Sequence, residues 1–362
     1  MFKPDIAYND LPLLPPDSKL VETIPVLKQE SKAAVALAEL KGLAKTLPKQ
    51  SILINGIVLK EAKASSEIEN VITTHDKLYK ALTLNDEKVD SATKEVLRYR
   101  EALFTGFKFV KEKGFLSTNG IIEIQQVLEG NNAGIRKLPG TALKNDLTDE
   151  IIYTPPNDPV AINLLLANLE NFINTETEND FTPLVKMAIQ HYQFESIHPF
   201  YDGNGRTGRI INVLQLILTE LLDIPILYLS GYITANKADY YRLLREVNTK
   251  NNWEGWILYV LKGVETTARD TITQINSINN LFEIIVKHTK EKSAKIYSKD
   301  LIEVLFENPY CRIENVEAKL ACSRKTASTY LNTLVEIGVL ENKTVGRDMI
   351  FINKPLYNIF KK

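Results

Sequence analysis

Cysteine is nearly absent: Cys311 and Cys322 are the only two in 362 residues. Two thiols are too few for a disulfide framework or a four-ligand zinc site, so a reduced compartment is expected. An excess of charge of either sign is also missing, since 44 Lys and Arg against 45 Asp and Glu leave a net charge of -1. That balance excludes a polycation coating nucleic acid or an anionic membrane, while leaving room for one local basic face. Long apolar runs are absent too. The most apolar window, Val213 to Leu229, is broken by Gln215, Glu220, Asp223 and Pro225, so it reads as a buried helix and a turn and not as a membrane span. The start, MFKPDIAYNDLPLLPP, carries Lys3, Asp5 and Asp10 among its prolines. It lacks the basic opening and continuous apolar stretch of a secretion signal, and a cytoplasmic location without a membrane partner is expected. No internal repeat or low-complexity segment is visible.

What is present is an ordinary globular composition, 44% hydrophobic and 25% charged, in a chain long enough for two or three domains of roughly 100 to 200 residues each. Apolar positions recur at helical spacing through Val26 to Leu47, Ile52 to Ala64 and Val96 to Val110, which predicts a helical N-terminal region over residues 1–115. A central region is expected over 116–275, and between Asn131 and Pro156 the pattern changes. Gly134, Pro139 and Gly140 precede TALK, a polar NDLTDE turn and the β-prone EIIYT before Pro155 and Pro156, a pattern that predicts a hairpin from about Ile135 to Thr154. Helix resumes from about Val160 through Leu222, interrupted only by a glycine-rich turn, and again from Asn236 to about Lys290. In the last region, 276–362, short helices over Ser298 to Glu307 and Val316 to Leu320 precede a third over Ser323 to Ile337. Ser323 is the expected N-cap, and two strands are expected around Gly346 and Arg347. That order is the one of a winged helix-turn-helix domain. The fold class expected is mainly α, with a small hairpin flap and this C-terminal unit.

The densest chemistry lies in residues 198 to 209, HPFYDGNGRTGR. A glycine-rich turn opening a helix presents unpaired N–H groups and the positive end of the helix dipole, which suits a polyphosphate. No strand precedes it, as a dinucleotide fold would require, and no Lys-Ser/Thr follows it, as a Walker loop would require. Gly203, Asn204 and Gly205 can form a nest for phosphates, and Asp202 beside them can hold a Mg2+ bridging those phosphates. Arg206 and Arg209, three positions apart, are expected to reach one anionic tail together. His198 titrates near neutrality and can take a proton from an attacking hydroxyl. Phosphoryl or nucleotidyl transfer is the chemistry these types serve; the plainer reading is a helix-turn-helix contact with a structural histidine.

HPFYDGNGRTGR resembles the signature of Fic domain proteins, HxFx(D/E)GNGRxxR, with every specified position filled. The resemblance implies a helical fold and a nucleotidyltransferase that uses Mg-ATP to attach AMP to a Ser, Thr or Tyr hydroxyl of a target protein or of itself. Carried over by position, His198 is the base and Asp202 the metal ligand. Gly203, Asn204, Gly205, Arg206, Thr207 and Gly208 hold phosphates, and Arg209 holds the γ-phosphate. Tyr240, Tyr241 and Asn248, in KADYYRLLREVN, lie where similar proteins contact the nucleoside, although paired tyrosines at this spacing are as readily core packing.

Residues 65 to 70 read SSEIEN. On residue types alone, Ser66 and Glu69 form a capping box that predicts a helix start. Within the family resemblance, Ser65, Glu69 and Asn70 fill the inhibitory pattern [S/T]xxxE[G/N]. This implies that Glu69 pairs with Arg209 where the γ-phosphate would sit, a brake built into the N-terminal region; the same glutamate could instead orient a water for AMP removal.

The hairpin, by the same resemblance, is a flap that pairs with an extended target segment through its main chain; Lys137 and Lys144 would bias it towards acidic neighbours. At the C-terminus, Arg324, Lys325, Thr326, Ser328 and Thr329 with Lys343 and Arg347 are residue types that contact DNA, diluted by Glu307, Glu314, Glu317, Glu336 and Glu341. Expected partners are therefore a hydroxyl-bearing target protein on the flap and, for the C-terminal unit, either DNA or a protein surface that includes a second copy of the chain as a homodimer. The competing functions are a DNA-binding regulator with a nucleotide-sensing site, and an enzyme of the same family that mainly removes AMP or uses another nucleotide.

Overall fold

The computed structural model describes residues 3–47, 49–84, 89–144, 149–175 and 181–361. Behind an extended arm come α1 (Ser18–Val21), α2 (Ile24–Ala44), α3 (Gln50–Ile68), α4 (His75–Leu84), α5 (Ser91–Lys113) and α6 (Thr118–Glu129). The flap follows as β1 (Leu143–Lys144) and β2 (Ile151–Tyr153). The centre is α7 (Pro159–Asn174), α8 (Pro183–Ile197), α9 (Asn204–Leu218), α10 (Leu229–Ala235), α11 (Lys237–Lys250) and α12 (Trp253–Ser293). The C-terminal unit comprises α13 (Lys299–Glu307), β3 (Tyr310–Cys311), α14 (Ile313–Leu320), α15 (Arg324–Glu336), β4 (Glu341–Val345), β5 (Asp348–Ile352) and α16 (Lys354–Lys361).

Local chemistry sets these limits. Asp90 and Ser117 accept from the backbone N–H groups of Thr93 and Gly120 and so cap α5 and α6, satisfying donors that a helix start leaves open. Both helices stop at a glycine in the left-handed region, Gly114 and Gly130. The helix expected to run on from Val160 breaks earlier than anticipated: α7 ends at Asn174, Thr175 is extended, and α8 starts afresh at Pro183. Pro183 explains the second start, because proline pre-sets the first helical turn and pushes the residue before it out of helix. The NDLTDE turn of the hairpin falls largely on 145–148, outside the described residues.

α8 and α9 form the centre. Almost every residue of both is buried, the mark of helices enclosed on all sides. α5 and α6 lie across one flank of α9 and α3 across another, while Trp256 on α12 donates its Nε1 to the carbonyl of Ala188 on α8 at 2.8 Å. α12, with 41 residues, is about 60 Å long. It packs on α2 and carries the chain out to α13 and α16.

In the C-terminal unit, β4 and β5 pair antiparallel with Val345 opposite Asp348 across a turn at Gly346, and β3 joins the other edge of β5. The expected succession of three helices and a hairpin is present, with β3 and α16 added to it, and Ser323 caps α15 by accepting from Thr326. Arg324, however, is held by Glu314 at 2.6 Å and Glu317 at 3.4 Å. Among the described residues no helix is long and apolar enough to cross a membrane.

Candidate active site

α8 runs out at His198, which takes the left-handed conformation (φ 49°), and α9 begins six residues later behind Gly203, also left-handed (φ 77°). The turn between them is closed from inside. The Asn204 side chain accepts from the N–H of Phe200 at 2.8 Å and donates to its carbonyl at 2.9 Å. Its amide is therefore spent on the loop and not on a phosphate, a correction to the role expected for that side chain. Gly203 brings no side chain to cap the first turn of α9, so the amides there remain available to an anion. A β-carbon on Gly203 would run into the Glu129 carboxylate, and one on Gly205 would lie 2.5 Å from Oε1 of Glu69 and 3.0 Å from Nη1 of Arg209. Thr207 and Gly208 face inward: Thr207 is buried, and Gly208 packs against Glu195, Phe194 and His191 of α8.

The two arginines diverge. Positions three apart on α9 point about 60° apart around its axis, and here that difference selects different partners. Arg206 donates to Glu95 on α5 and, at 3.0 Å, to Glu129 at the end of α6. Arg209, almost wholly buried, donates its Nε to the Ser65 hydroxyl at 2.7 Å and its Nη2 to the Ser65 carbonyl at 3.0 Å and to Glu69 Oε1 at 2.8 Å. Within the protein the two side chains therefore do not converge, and only Arg209 faces the turn at 65–70.

That turn ends a helix and does not start one. α3 stops at Ile68, Glu69 is its C-cap, and Asn70 is left-handed (φ 62°), with Val71 N–H returning to the carbonyl of Ser66 at 3.0 Å. The capping-box reading of Ser66 and Glu69 is thereby overturned. The geometry also accounts for the residue types: position 65 supplies a hydroxyl acceptor, position 69 a carboxylate, and position 70 a residue tolerant of the left-handed region. Partial burial pushes the Glu69 carboxyl up, but the Arg209 charge and hydrogen bond outweigh it and hold it below its ordinary value.

His198 is kept neutral. Burial, with the nearby Arg136 charge, lowers its pKa to about 4, against the opposing pull of the Glu195 carbonyl. Its Nδ1 is buried and makes no hydrogen bond of standard geometry, which leaves Nε2 as the nitrogen for proton transfer. Asp202 is open to solvent, its side chain 77% exposed, with Oδ1 accepting from the N–H of Gly203 at 2.7 Å. No group of three or more His, Cys, Asp and Glu able to hold a metal occurs among the described residues.

A cleft of about 290 Å³ opens between the flap and α11, lined by Leu143, Ile152, Glu195, Tyr241, Arg245 and Asn248 among others. Tyr241 and Asn248 both line this cleft. Tyr240 does not: it is buried, its hydroxyl 2.9 Å from Nε2 of His191 and its ring among those of His191, Trp256 and Tyr259. Glu195 gave no signal in the sequence beyond being a lone carboxyl near the motif. Burial, aided by Glu69 and opposed by Arg209, raises its pKa to about 7.

Arg136 was equally silent. Buried beneath the flap, it donates to the carbonyls of His198 (2.7 Å), Pro156 and Ile197 (3.3 Å), while its N–H reaches the carbonyl of Pro199 at 2.9 Å. Tyr201 completes the link by accepting from the N–H groups of Lys137 and Leu138. Replacing Arg136 by Leu strips donors from three buried carbonyls and should cost about 3 kcal/mol, read as a lower urea midpoint. An unchanged midpoint would show that the flap is not fastened this way.

The fold and site define a helical protein with a glycine-rich turn between two buried helices, a histidine held neutral at its edge and a carboxylate-paired arginine below. The chain belongs to the Fic/DOC family: the Fic/DOC family profile matches residues 115–216, the Fic/DOC family N-terminal profile residues 27–108, and the profile for the C-terminal domain of SoFic-like protein adenylyltransferases residues 281–356. It is 29% identical over 162 residues to the protein adenylyltransferase fic-1 of Caenorhabditis briggsae, covering 44% of this chain and 29% of that one. It is also 29% identical over 163 residues to a probable protein adenylyltransferase of Aquifex aeolicus, covering 43% and 45%. The chain spans less than half the length of these curated relatives. A crystal structure of a Fic family protein from Desulfovibrio desulfuricans superposes with a TM-score of 0.59 at 17% identity, over 91% of this chain and 96% of that one, which establishes the fold.

Proposed function

We propose that this chain is a self-inhibited protein adenylyltransferase, moving AMP from ATP to a hydroxyl side chain of a target protein or of itself. The observation that carries the reading is the Arg209 guanidinium, held by Ser65 and Glu69 directly beside Gly205, at the open end of α9. A carboxylate there takes the place and the partner that the end of a triphosphate needs.

With Glu69 withdrawn, Arg209 is free to hold the γ-phosphate and the amides after Gly203 to hold the phosphates before it. The nucleoside then extends into the cleft at Tyr241 and Asn248. A target hydroxyl, aligned by main-chain pairing to the flap, attacks the α-phosphorus. Its oxygen bonds to that phosphorus, the bond to the β-phosphate oxygen breaks, and pyrophosphate leaves. The hydroxyl proton passes to Nε2 of His198. Asp202 is the residue to hold Mg2+; one solvent-open carboxylate next to the phosphate turn suits an ion that takes its other ligands from phosphates and water. When bound, the ion supplies charge neutralisation on the phosphates.

A base must be unprotonated to act, and burial holds His198 neutral far below the usual histidine range. In the Glu69→Gly chain, kcat/KM should therefore stay level as pH falls from 8 through 6 and drop only with a midpoint near 4. A midpoint near the ordinary value of about 6.5, or no acid limb at all, would count against His198 in this role.

A further inference from the structure

The helix that brings Ser65 and Glu69 to Arg209 is held on its far side by the C-terminal unit. Lys49, at the start of α3, pairs with Glu303 of α13 at 2.9 Å, and Asn55 donates its Nδ2 to the carbonyl of Glu307 at 2.9 Å. One position on, Gly56 leaves the space that the Phe360 ring of α16 fills, so close that any β-carbon there would collide with it. Past Glu69 the chain turns into α4 and meets the same unit again. The Tyr310 hydroxyl donates to Asp76 at 2.7 Å, and the ring of Tyr79 lies 5.8 Å from that of Tyr310 and 6.0 Å from that of Tyr357. The turn at 65–70 is bracketed before and after by α13, β3 and α16.

The inner face of α3 is fixed as well. Glu61, buried, accepts from the Tyr99 hydroxyl at 3.1 Å and from both the N–H and the hydroxyl of Ser230 at the start of α10. α3 is thus pinned on one side by Glu61 to α5 and α10, with its outer side resting on the C-terminal unit.

Resting on the reading of Glu69 as a brake, we infer that Phe360 and the Tyr310–Asp76 pair are positioning residues for the Glu69 carboxylate, so that the C-terminal unit sets how firmly the brake is applied. They act through α3 and α4 and touch neither nucleotide nor target. A partner that draws α16 or β3 away from these helices weakens the hold of the 65–70 turn on Arg209 and raises AMP transfer. The coupling is reciprocal: ATP that displaces Glu69 loosens the C-terminal unit in turn.

The test uses six versions of the chain, the parent, Phe360→Ala, Asp76→Ala, Asp76→Asn, Glu69→Gly and the Asp76→Ala, Glu69→Gly double variant, with initial rates of self-labelling from labelled ATP. A purely structural contact, once cut, slows the enzyme; a positioning contact speeds it. Phe360→Ala and Asp76→Ala should each label about fivefold faster than the parent or more, a typical coupling between two sites. Asp76→Asn, which retains an acceptor for Tyr310, should stay near the parent rate, and adding Asp76→Ala to Glu69→Gly should bring no further gain. Should Phe360→Ala fail to fold, the Asp76 series decides alone. A fast Glu69→Gly chain with Asp76→Ala at or below the parent rate overturns the coupling and leaves the brake standing. A Glu69→Gly chain at the parent rate removes the brake, and this inference falls with it.

Discussion

Glu69→Gly is expected to label itself with AMP roughly 100-fold faster than the parent chain at equal ATP. The size of the effect follows from what the carboxylate obstructs. Arg209 is buried and has one carboxylate partner, Glu69 at 2.8 Å, so the γ-phosphate and Glu69 compete for one guanidinium. With the tail displaced, the α-phosphorus sits off the line between the hydroxyl and the leaving oxygen, and an error of about 1 Å in such geometry is enough for a hundredfold loss. The same substitution should hardly change stability. The Glu69 side chain is 37% exposed, so solvent screens the pair and its contribution to folding is only about 1 kcal/mol. A large gain in rate with a nearly constant unfolding midpoint is the combined signature. Equal labelling by the two chains would remove self-inhibition from the account.

His198→Ala, made in the Glu69→Gly chain, should reduce that labelling by about 10²- to 10⁴-fold, the usual worth of a positioned proton acceptor. Nucleotide binding should survive, because the imidazole sits on the turn's edge while the amides and Arg209 belong to α9. The thermal shift on adding Mg-ATP is therefore the control: retained binding with lost transfer assigns His198 to chemistry. Loss of both would mean that the side chain supports the loop from its place at the C-cap of α8.

Much of the site was legible from residue types because the chemistry is local. Twelve consecutive residues carry the glycine-rich helix start, the histidine and the open carboxylate that the structure brings to one turn. The pairing of Glu69 with Arg209 was legible only through family resemblance. Ser65 and Glu69 are separated from Arg209 by 144 and 140 positions, and residue types alone suggested a helix start where the chain ends one. Periodicity said that α9 was buried but not which neighbour each arginine would meet, so the Glu95 and Glu129 partners of Arg206 were invisible. Tyr240 failed for a related reason: adjacent tyrosines on a helix point about 100° apart, and only Tyr241 faces the cleft. Arg136 and Phe360 act wholly through tertiary contacts, one under the flap and one against Gly56, and leave no local pattern.

The central claim is that the turn between α8 and α9 binds ATP and that the chain transfers its AMP portion to a hydroxyl. Intact mass of the Glu69→Gly protein after incubation with Mg-ATP tests this directly, with the parent and the Glu69→Gly, His198→Ala double variant alongside. The account predicts a gain equal to one or more AMP groups in Glu69→Gly, little in the parent and none in the double variant. An unchanged mass in Glu69→Gly, or a gain matching phosphate in place of AMP, would contradict it.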